Sequence, residues 1–176
     1  METNIALIGF MGTGKTGVGK ALAKKLGKKF VELDSLIEQK AGKPIPEIFQ
    51  QDGEIAFREL EIEVTKEVSR NKDLVIACGG GIVLNQINID RLKREFTIVY
   101  LTASPTVILQ RVSGKREERP LLASGNKAVK IRELLRFREP FYKQAADITV
   151  DTSKLDIDSV TEQIIDRIKR DEGLNL

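Results

Sequence analysis

The segment "GFMGTGKT" at residues 9–16 holds the residues of this chain that are best suited to phosphate chemistry. It matches the pattern GxxxxGK[ST], in which glycines let backbone N–H groups turn inward around phosphate oxygens. Lys15 would reach the β- and γ-phosphates of a nucleotide, and Thr16 would bind Mg²⁺ through its hydroxyl. The alternative is a glycine-rich turn without a ligand. Because a strand-like run precedes the motif and a helical pattern begins at Lys15, we favour a site for ATP or GTP.

A carboxylate is the natural general base in this chain, because the sequence contains no histidine. This absence excludes Ser–His–Asp and Cys–His catalysis. Ligands of parallel α/β sheets bind beyond the carboxyl ends of the strands, and Asp34 follows the second predicted strand. Asp34 is therefore the candidate base for an acceptor hydroxyl. Its alternative role is to favour the start of a helix in which Ser35 is the N-cap and Glu38 completes a capping box.

Glu32 is the candidate to assist Mg²⁺, because the third predicted strand runs into Cys78 and not into the usual aspartate. Its alternative role is that of an ordinary polar residue on the strand. We interpret Cys78 as a small buried residue and not as a reactive thiol. Three glycines, Gly79, Gly80 and Gly81, follow directly, and they indicate a close approach of the backbone to another group, with a flexible hinge as the alternative.

Two arginines lie on or beside the apolar faces of predicted helices, positions that an anionic ligand would explain. Arg138 is on the apolar face of a predicted helix, seven residues after Ile131, and an inward guanidinium needs an internal acid or a bound anion. Pro140 should kink or end that helix nearby. Arg58 lies at the edge of the apolar stripe of its helix, where a surface ion pair with Glu61 is the alternative to ligand binding.

The charged segment at residues 113–125 contains Arg119 and follows Arg111 closely. A charge run of this kind is usually a solvated loop. A basic loop flanked by glycines is also what we expect of a lid that closes over transferring phosphates. We therefore predict a lid loop over residues 113–125.

The elements that must position these residues follow from apolar runs that alternate with helical patterns. Strands are predicted at residues 4–9, 29–33, 74–79, 96–101 and 147–151. Helices are predicted at about 15–26, 53–69 and 104–112, in the segment after 127, and from about 157 onward. A further helical region follows the second strand and is broken at 42–46. Nearly continuous apolar strands suit a sheet that is covered on both faces, so we expect a three-layer α/β/α domain with a parallel sheet.

Composition and charge narrow the class of protein. The 176 residues fit one domain, 1–176, and 41% hydrophobic with 31% charged residues is a globular balance. The net charge of +3 is spread among nearly as many acids, so we expect an anion site and no nucleic-acid surface. No apolar run is long enough to cross a bilayer, and a single cysteine allows no internal disulfide. We therefore expect a cytoplasmic protein without a membrane partner.

Taken together, these motifs resemble those of the shikimate kinase family. The resemblance covers essentially the whole chain. It includes "GFMGTGKTGVGKALA", "FVELDSLIE", "FRELE" (57–61), "GGG" (79–81), "RPLL" (119–122) and "REPFYKQAAD" (138–147), in the order of the family. The phosphate turn alone is unspecific, whereas the set at this spacing is highly specific.

The resemblance implies transfer of the γ-phosphate of ATP to the 3-hydroxyl of shikimate, with Mg²⁺, in aromatic amino-acid biosynthesis. It implies a P-loop kinase fold with a five-stranded parallel sheet in the order 2-3-1-4-5, and a shikimate-binding region at 32–62. The implied catalytic residues are Asp34, Lys15 and Arg119. The implied ATP site is Gly12, Thr13, Gly14, Lys15, Thr16, Gly17, Arg111, Arg119 and Ser153, within a stretch around 152–154 that flanks adenine. The implied shikimate site is Asp34, Arg58, Gly79, Gly80, Gly81 and Arg138, and the implied metal site is Thr16 and Glu32. The family often has aspartate where this chain has Glu32.

We expect a monomer that acts on the small molecules shikimate and ATP. Two other hypotheses remain at this point. One is a related kinase that phosphorylates gluconate or a nucleoside monophosphate. The other is a nucleotide-binding regulatory protein that has lost catalysis, against which the joint presence of Lys15, Asp34, Arg58, Arg119 and Arg138 argues.

Overall fold

The computed structural model describes residues 3–113 and 126–174, and within these ranges strands and helices alternate along the chain. The strands are β1 (Asn4–Ile8), β2 (Lys29–Glu32), β3 (Leu74–Ala77), β4 (Phe96–Thr102) and β5 (Ile148–Asp151). The helices are α1 (Lys15–Leu26), α2 (Leu33–Ala41), α3 (Ile45–Gln51), α4 (Gly53–Val68), α5 (Gln86–Glu95), α6 (Pro105–Ser113), α7 (Lys127–Ala145) and α8 (Ile157–Leu174). The predicted lid loop lies outside the described residues except for Ser113, which ends α6, and Arg119 lies outside them as well.

The five strands form one parallel sheet in the order β2-β3-β1-β4-β5, as predicted. In this order β1 is the central strand. The chain first adds β2 and β3 on one side of it and then crosses to add β4 and β5 on the other, so the strand order reverses beside β1. The phosphate turn follows β1 directly. Ligands of open parallel sheets bind at such a reversal, so the topology places the turn where a nucleotide is expected.

Two apolar layers cover the sheet. Ile5, Leu7 and Val75 face the layer formed by α1 and α8, where Leu22 and Ile164 are buried. The opposite face of β1, β3 and β4 packs against helices from α2 to α7. Because alternate residues of a buried strand point to opposite layers, both sets must be apolar, which is why these strands read as continuous apolar runs.

Two local features differ from expectation and a third agrees with it. The sequence analysis did not predict α5, although Ile89 and Leu92 are buried on it at helical spacing. Pro140 does not end α7, which continues to Ala145. The break at 42–46 is present: Gly42 ends α2 in the left-handed region, with φ 70°, and Pro44 precedes α3. Within the described ranges, the helices are too short or too polar to span a membrane.

Candidate active site

The phosphate turn is built on backbone conformations that favour glycine. Gly12 has φ 78° and Gly14 has φ 95°, in the left-handed region that a side chain would strain. Lys15 begins α1, and its Nζ donates to the carbonyl oxygens of Gly9 at 2.8 Å and Phe10 at 2.9 Å. The ammonium group is therefore held across the turn whose N–H groups and helix dipole suit phosphate oxygens.

Thr16 and Glu32, the two residues predicted to hold Mg²⁺, meet beside this turn. The Thr16 hydroxyl donates to Glu32 Oε1 at 2.6 Å. A hydroxyl that donates its proton to a carboxylate keeps its lone pairs for a cation, so these two groups fit Mg²⁺. In residues 3–113 and 126–174 no cluster of three or more His, Cys, Asp or Glu could hold a metal ion. Thr16 and Glu32 offer two oxygen atoms, and Mg²⁺ usually adds phosphate and water oxygens to such protein ligands.

One cleft joins the phosphate turn to the predicted acceptor residues. Its volume is about 660 Å³, enough for a small molecule. It is lined by the phosphate turn, by residues of α2, α3 and α4, by the glycines after β3 and by α7. The charged and glycine residues lining it include Lys15, Glu32, Asp34, Arg58, Glu61, Gly79, Gly80, Gly81 and Arg138. The predicted catalytic and acceptor residues in the described ranges thus share one cavity.

Asp34 lies in the first turn of α2, and its carboxylate faces the cleft. The capping-box alternative is wrong. Helix α2 begins at Leu33, so Ser35 is inside the helix and not at its N-cap. Glu38 does not reach back toward Ser35, because its Oε2 accepts the backbone N–H of Ile45 at 2.9 Å. Glu38 thus fixes the start of α3. Asp34 lies in the first turn of α2, so its two predicted roles, favouring the helix start and serving as base for an acceptor, both stay predictions.

Each glycine of residues 79–81 lies close to a charged side chain of the cleft. A Cβ at Gly79 would lie 2.9 Å from Asp34 Oδ1, and at Gly80 it would lie 3.3 Å from Arg138 Nη1. At Gly81 it would collide with the Arg58 guanidinium. The three glycines therefore allow close backbone approach, as predicted. We refer to Gly79, Gly80 and Gly81 as the glycine wall.

Arg58 and Arg138 bring two guanidinium groups into the cleft. Arg138 is 3% exposed, which confirms that it faces inward from α7. Arg58 Nη1 pairs with Glu61 Oε1 at 3.0 Å. The predicted pair is therefore present, but its placement at the surface is wrong, because Glu61 is 1% exposed. Burial raises the pKa of Glu61 to about 7, against the opposing effect of Arg58.

Arg111 and the segment after β5 lie together on the other side of the phosphate turn. Arg111 donates to the Gly12 carbonyl at 3.0 Å and to the Thr152 carbonyl. The Thr152 hydroxyl is 2.6 Å from the Thr13 carbonyl. Ser153 is next along the chain, and its hydroxyl accepts the N–H of Ser104 at 3.0 Å. The residues implied to flank adenine are thus adjacent to the turn.

Sequence reasoning missed the site roles of three residues. The sequence predicts Glu61 at the surface, whereas it is buried in the cleft. The spacing of three residues after Arg58 correctly indicates that the two side chains pair. Thr152 was included only in an adenine-flanking stretch, and no motif signalled its contact with Thr13. Tyr142 has no predicted role, yet its hydroxyl donates to the Gly80 carbonyl in the glycine wall.

Comparisons with known proteins agree with this geometry. A model of the family described as "Shikimate kinase" matches residues 11–169. A shikimate kinase of Caldanaerobacter subterraneus is 49% identical over 162 residues, covering 92% of this chain and 94% of its own length. A shikimate kinase of Thermodesulfovibrio yellowstonii is 47% identical over 167 residues, covering 95% of each chain.

Solved structures show the same relationship. The structure of a shikimate kinase from Acinetobacter baumannii in complex with shikimate superposes with a TM-score of 0.93 at 38% identity, covering 97% of this chain and 95% of its own. A gluconokinase from Sinorhizobium meliloti has a TM-score of 0.62 at 15% identity over 99% of this chain and 96% of its own, which shows a shared fold alone. The chain therefore belongs to the shikimate kinase family of ATP-dependent kinases.

Proposed function

We propose that this chain transfers the γ-phosphoryl group of ATP to the 3-hydroxyl of shikimate, through the residues that line the cleft. The observation that carries the proposal is that Arg58, Arg138 and Asp34 line one cavity beside the phosphate turn. A small alcohol that bears a carboxylate matches this set: its acid suits the guanidinium groups, and its hydroxyl suits the carboxylate.

On the acceptor side, Asp34 holds the reacting hydroxyl and takes up its proton. Phosphoryl transfer depends more on positioning than on a strong base, so an ordinary carboxylate is sufficient. Arg58 and Arg138 grip the carboxylate of the acceptor, and the glycine wall lets the acceptor lie against the backbone. The hydrogen bond from Arg58 Nη1 to Glu61 fixes the orientation of the planar Arg58 guanidinium group.

On the nucleotide side, backbone N–H groups of Gly12, Thr13, Gly14, Thr16 and Gly17 bind the phosphates. Lys15 moves its ammonium group from the carbonyls of the turn to the β- and γ-phosphates. Arg111 and Ser153 flank the adenine. We also assign a lid contact with the transferring phosphate to Arg119, which lies outside the described residues.

Thr16 and Glu32 would hold Mg²⁺ through the hydroxyl and the carboxylate. When bound, the cation neutralises negative charge on the phosphates. Glutamate in place of the family's frequent aspartate keeps the charge on a longer side chain, and its oxygen still reaches the Thr16 hydroxyl at 2.6 Å. Chelation of Mg²⁺ should therefore abolish turnover, and added Mg²⁺ should restore it.

We further propose that the chain works as a cytoplasmic monomer on small molecules, without nucleic-acid or membrane partners. Light scattering coupled to size-exclusion chromatography tests it, and a dimer mass would reject it.

The deciding experiment is coupled ADP release with shikimate, gluconate and AMP supplied in turn. We expect turnover with shikimate, with a product that carries phosphate on the 3-hydroxyl by ³¹P NMR. Turnover with another acceptor and none with shikimate would reject the proposal. Nucleotide binding with no phosphorylated product from any acceptor would favour a regulatory protein instead.

A further inference from the structure

Tyr142 is a buried aromatic residue that contacts the backbone of the proposed acceptor site. It is 0% exposed, and its ring stacks on that of Tyr100 with the centroids 4.9 Å apart. Its hydroxyl donates to the carbonyl oxygen of Gly80. Tyr142 itself is not one of the described residues that line the cleft. It can therefore influence an acceptor only through the groups that it contacts.

Two of those groups belong to the acceptor site. Arg138 precedes Tyr142 by one turn of α7, and both side chains are buried. A Cβ at Gly80 would lie 3.3 Å from Arg138 Nη1 and 3.6 Å from the Tyr142 hydroxyl oxygen. Burial raises the pKa of Tyr142, and the adjacent Arg138 guanidinium opposes that rise. The hydroxyl is thus neutral at physiological pH, and it lies beside Gly80 on the same side as the Arg138 guanidinium.

Gly80 is also where the acceptor half of the cleft meets the nucleotide half. A Cβ there would lie 3.6 Å from the carbonyl oxygen of Gly9, which accepts the Lys15 ammonium. A shift of the Gly80 backbone would therefore change the position of the acceptor relative to the phosphate turn. Small displacements of this kind have large effects on transfer reactions, which require the two reacting atoms to be aligned.

We propose that the Tyr142 hydroxyl is a positioning group for the acceptor, which holds the Gly80 carbonyl and the Arg138 guanidinium in one fixed arrangement. This inference rests on the proposed function, in which Arg138 grips the carboxylate of shikimate. The competing interpretation is purely structural: a buried hydroxyl needs a partner, and the Gly80 carbonyl satisfies it. The two interpretations differ in what happens to substrate affinity when the hydroxyl is removed.

The test compares Tyr142→Phe with Tyr100→Phe, which removes the hydroxyl from the other ring of the same stack. We expect Tyr142→Phe to raise the KM for shikimate by roughly threefold to tenfold, the effect of one lost hydrogen bond, and to leave the KM for ATP within about twofold. Tyr100→Phe should leave both KM values within about twofold. An unchanged KM for shikimate in Tyr142→Phe, or an equal rise for both substrates, would overturn the inference even if its melting temperature falls.

A double-mutant cycle tests the connection to Arg138. If the hydroxyl acts by holding that guanidinium, Tyr142→Phe should add little to the rise in KM already caused by Arg138→Lys. Fully additive effects would overturn the inference. Failure of the proposed function is distinguishable, because it would appear as no turnover of shikimate by the unaltered protein.

Discussion

Arg58 and Glu61 are three residues apart on α4, and they form an ion pair of 3.0 Å in which the acid is almost completely buried. A local spacing that is common on helix surfaces thus places a carboxyl group inside the substrate cleft. Asp34 lies nearby and disfavours ionisation of Glu61 further, whereas Arg58 and Arg138 favour it. Burial is the largest of these effects, so the pKa of Glu61 is raised from 4.5 to about 7.

This raised pKa predicts a pH-dependent stability. Between pH 4.5 and about 7, the folded state keeps a proton on Glu61 that the unfolded state has lost. The stabilisation from this difference is complete below the unfolded pKa and is lost as the pH rises through the folded pKa. Relative to Glu61→Gln, whose amide does not titrate, the unaltered protein should lose on the order of 2–3 kcal/mol between pH 5 and pH 8.

Urea unfolding of both proteins at several pH values measures this difference. Each variant serves as the control for the other, since all other titrating groups are shared. A difference in free energy of unfolding that stays constant from pH 5 to pH 8 would show that Glu61 is ionised throughout.

Arg138→Ala should raise the KM for shikimate by at least about tenfold, because it removes the proposed charge-assisted contact with the carboxylate of the substrate. ATP binding should hardly change. Arg136→Ala removes an exposed guanidinium from the same helix and is the matched control. Initial-rate kinetics with each substrate varied in turn measures both constants. Equal losses for both substrates would contradict the assignment of Arg138 to the acceptor.

Asp34→Asn should lower kcat by about 10²- to 10⁴-fold, because an amide cannot take up the proton of the acceptor hydroxyl. The fold should survive, as shown by an unchanged melting temperature. Asp166→Asn, which changes an exposed carboxylate on α8, controls for the loss of one charge. Turnover close to normal in Asp34→Asn would mean that Asp34 only favours the start of α2.

Gly81→Ala should lower kcat/KM for shikimate by about 10²-fold, because the added methyl group collides with the Arg58 guanidinium and displaces it. Gly173→Ala adds the same methyl group where the structure has no atom within 4 Å apart from the adjoining part of its own helix, so kcat/KM should not change. Calorimetric titration with shikimate measures the lost affinity directly. If Gly81→Ala binds shikimate normally, Arg58 has room to move and the glycine wall is not required for close approach.

The sheet and most helices could be predicted from sequence because both faces of the sheet are covered. Strands such as β4 are then continuous apolar runs, and their alternation with helices leaves few arrangements. Helix α5 was missed because most of its residues are charged or polar, and the polar Asn88 occupies one of its three buried positions. Periodicity in apolar residues alone does not reveal such a helix.

A site residue could be predicted from sequence where its charge does not suit the apolar surroundings predicted for it. Arg138 stood out because a guanidinium on an apolar face requires an anion. The burial of Glu61 was not predictable from the spacing of Arg58 and Glu61, because the same spacing is common on exposed helix surfaces. The choice between two partners of Glu38 was not predictable either, since its actual partner, the N–H of Ile45, is contributed by the next helix. Contacts of this kind depend on how the helices pack.

The glycine wall also limits how this cleft can be redesigned. Its three positions already carry the smallest possible side chain, so every substitution there removes space and none adds any. Variants that accept bulkier alcohols must therefore be sought among the larger side chains of the lining, such as Met11, Phe49 and Phe57. A library that randomises those three residues and keeps 79–81 fixed would explore the directions in which the substrate range can widen.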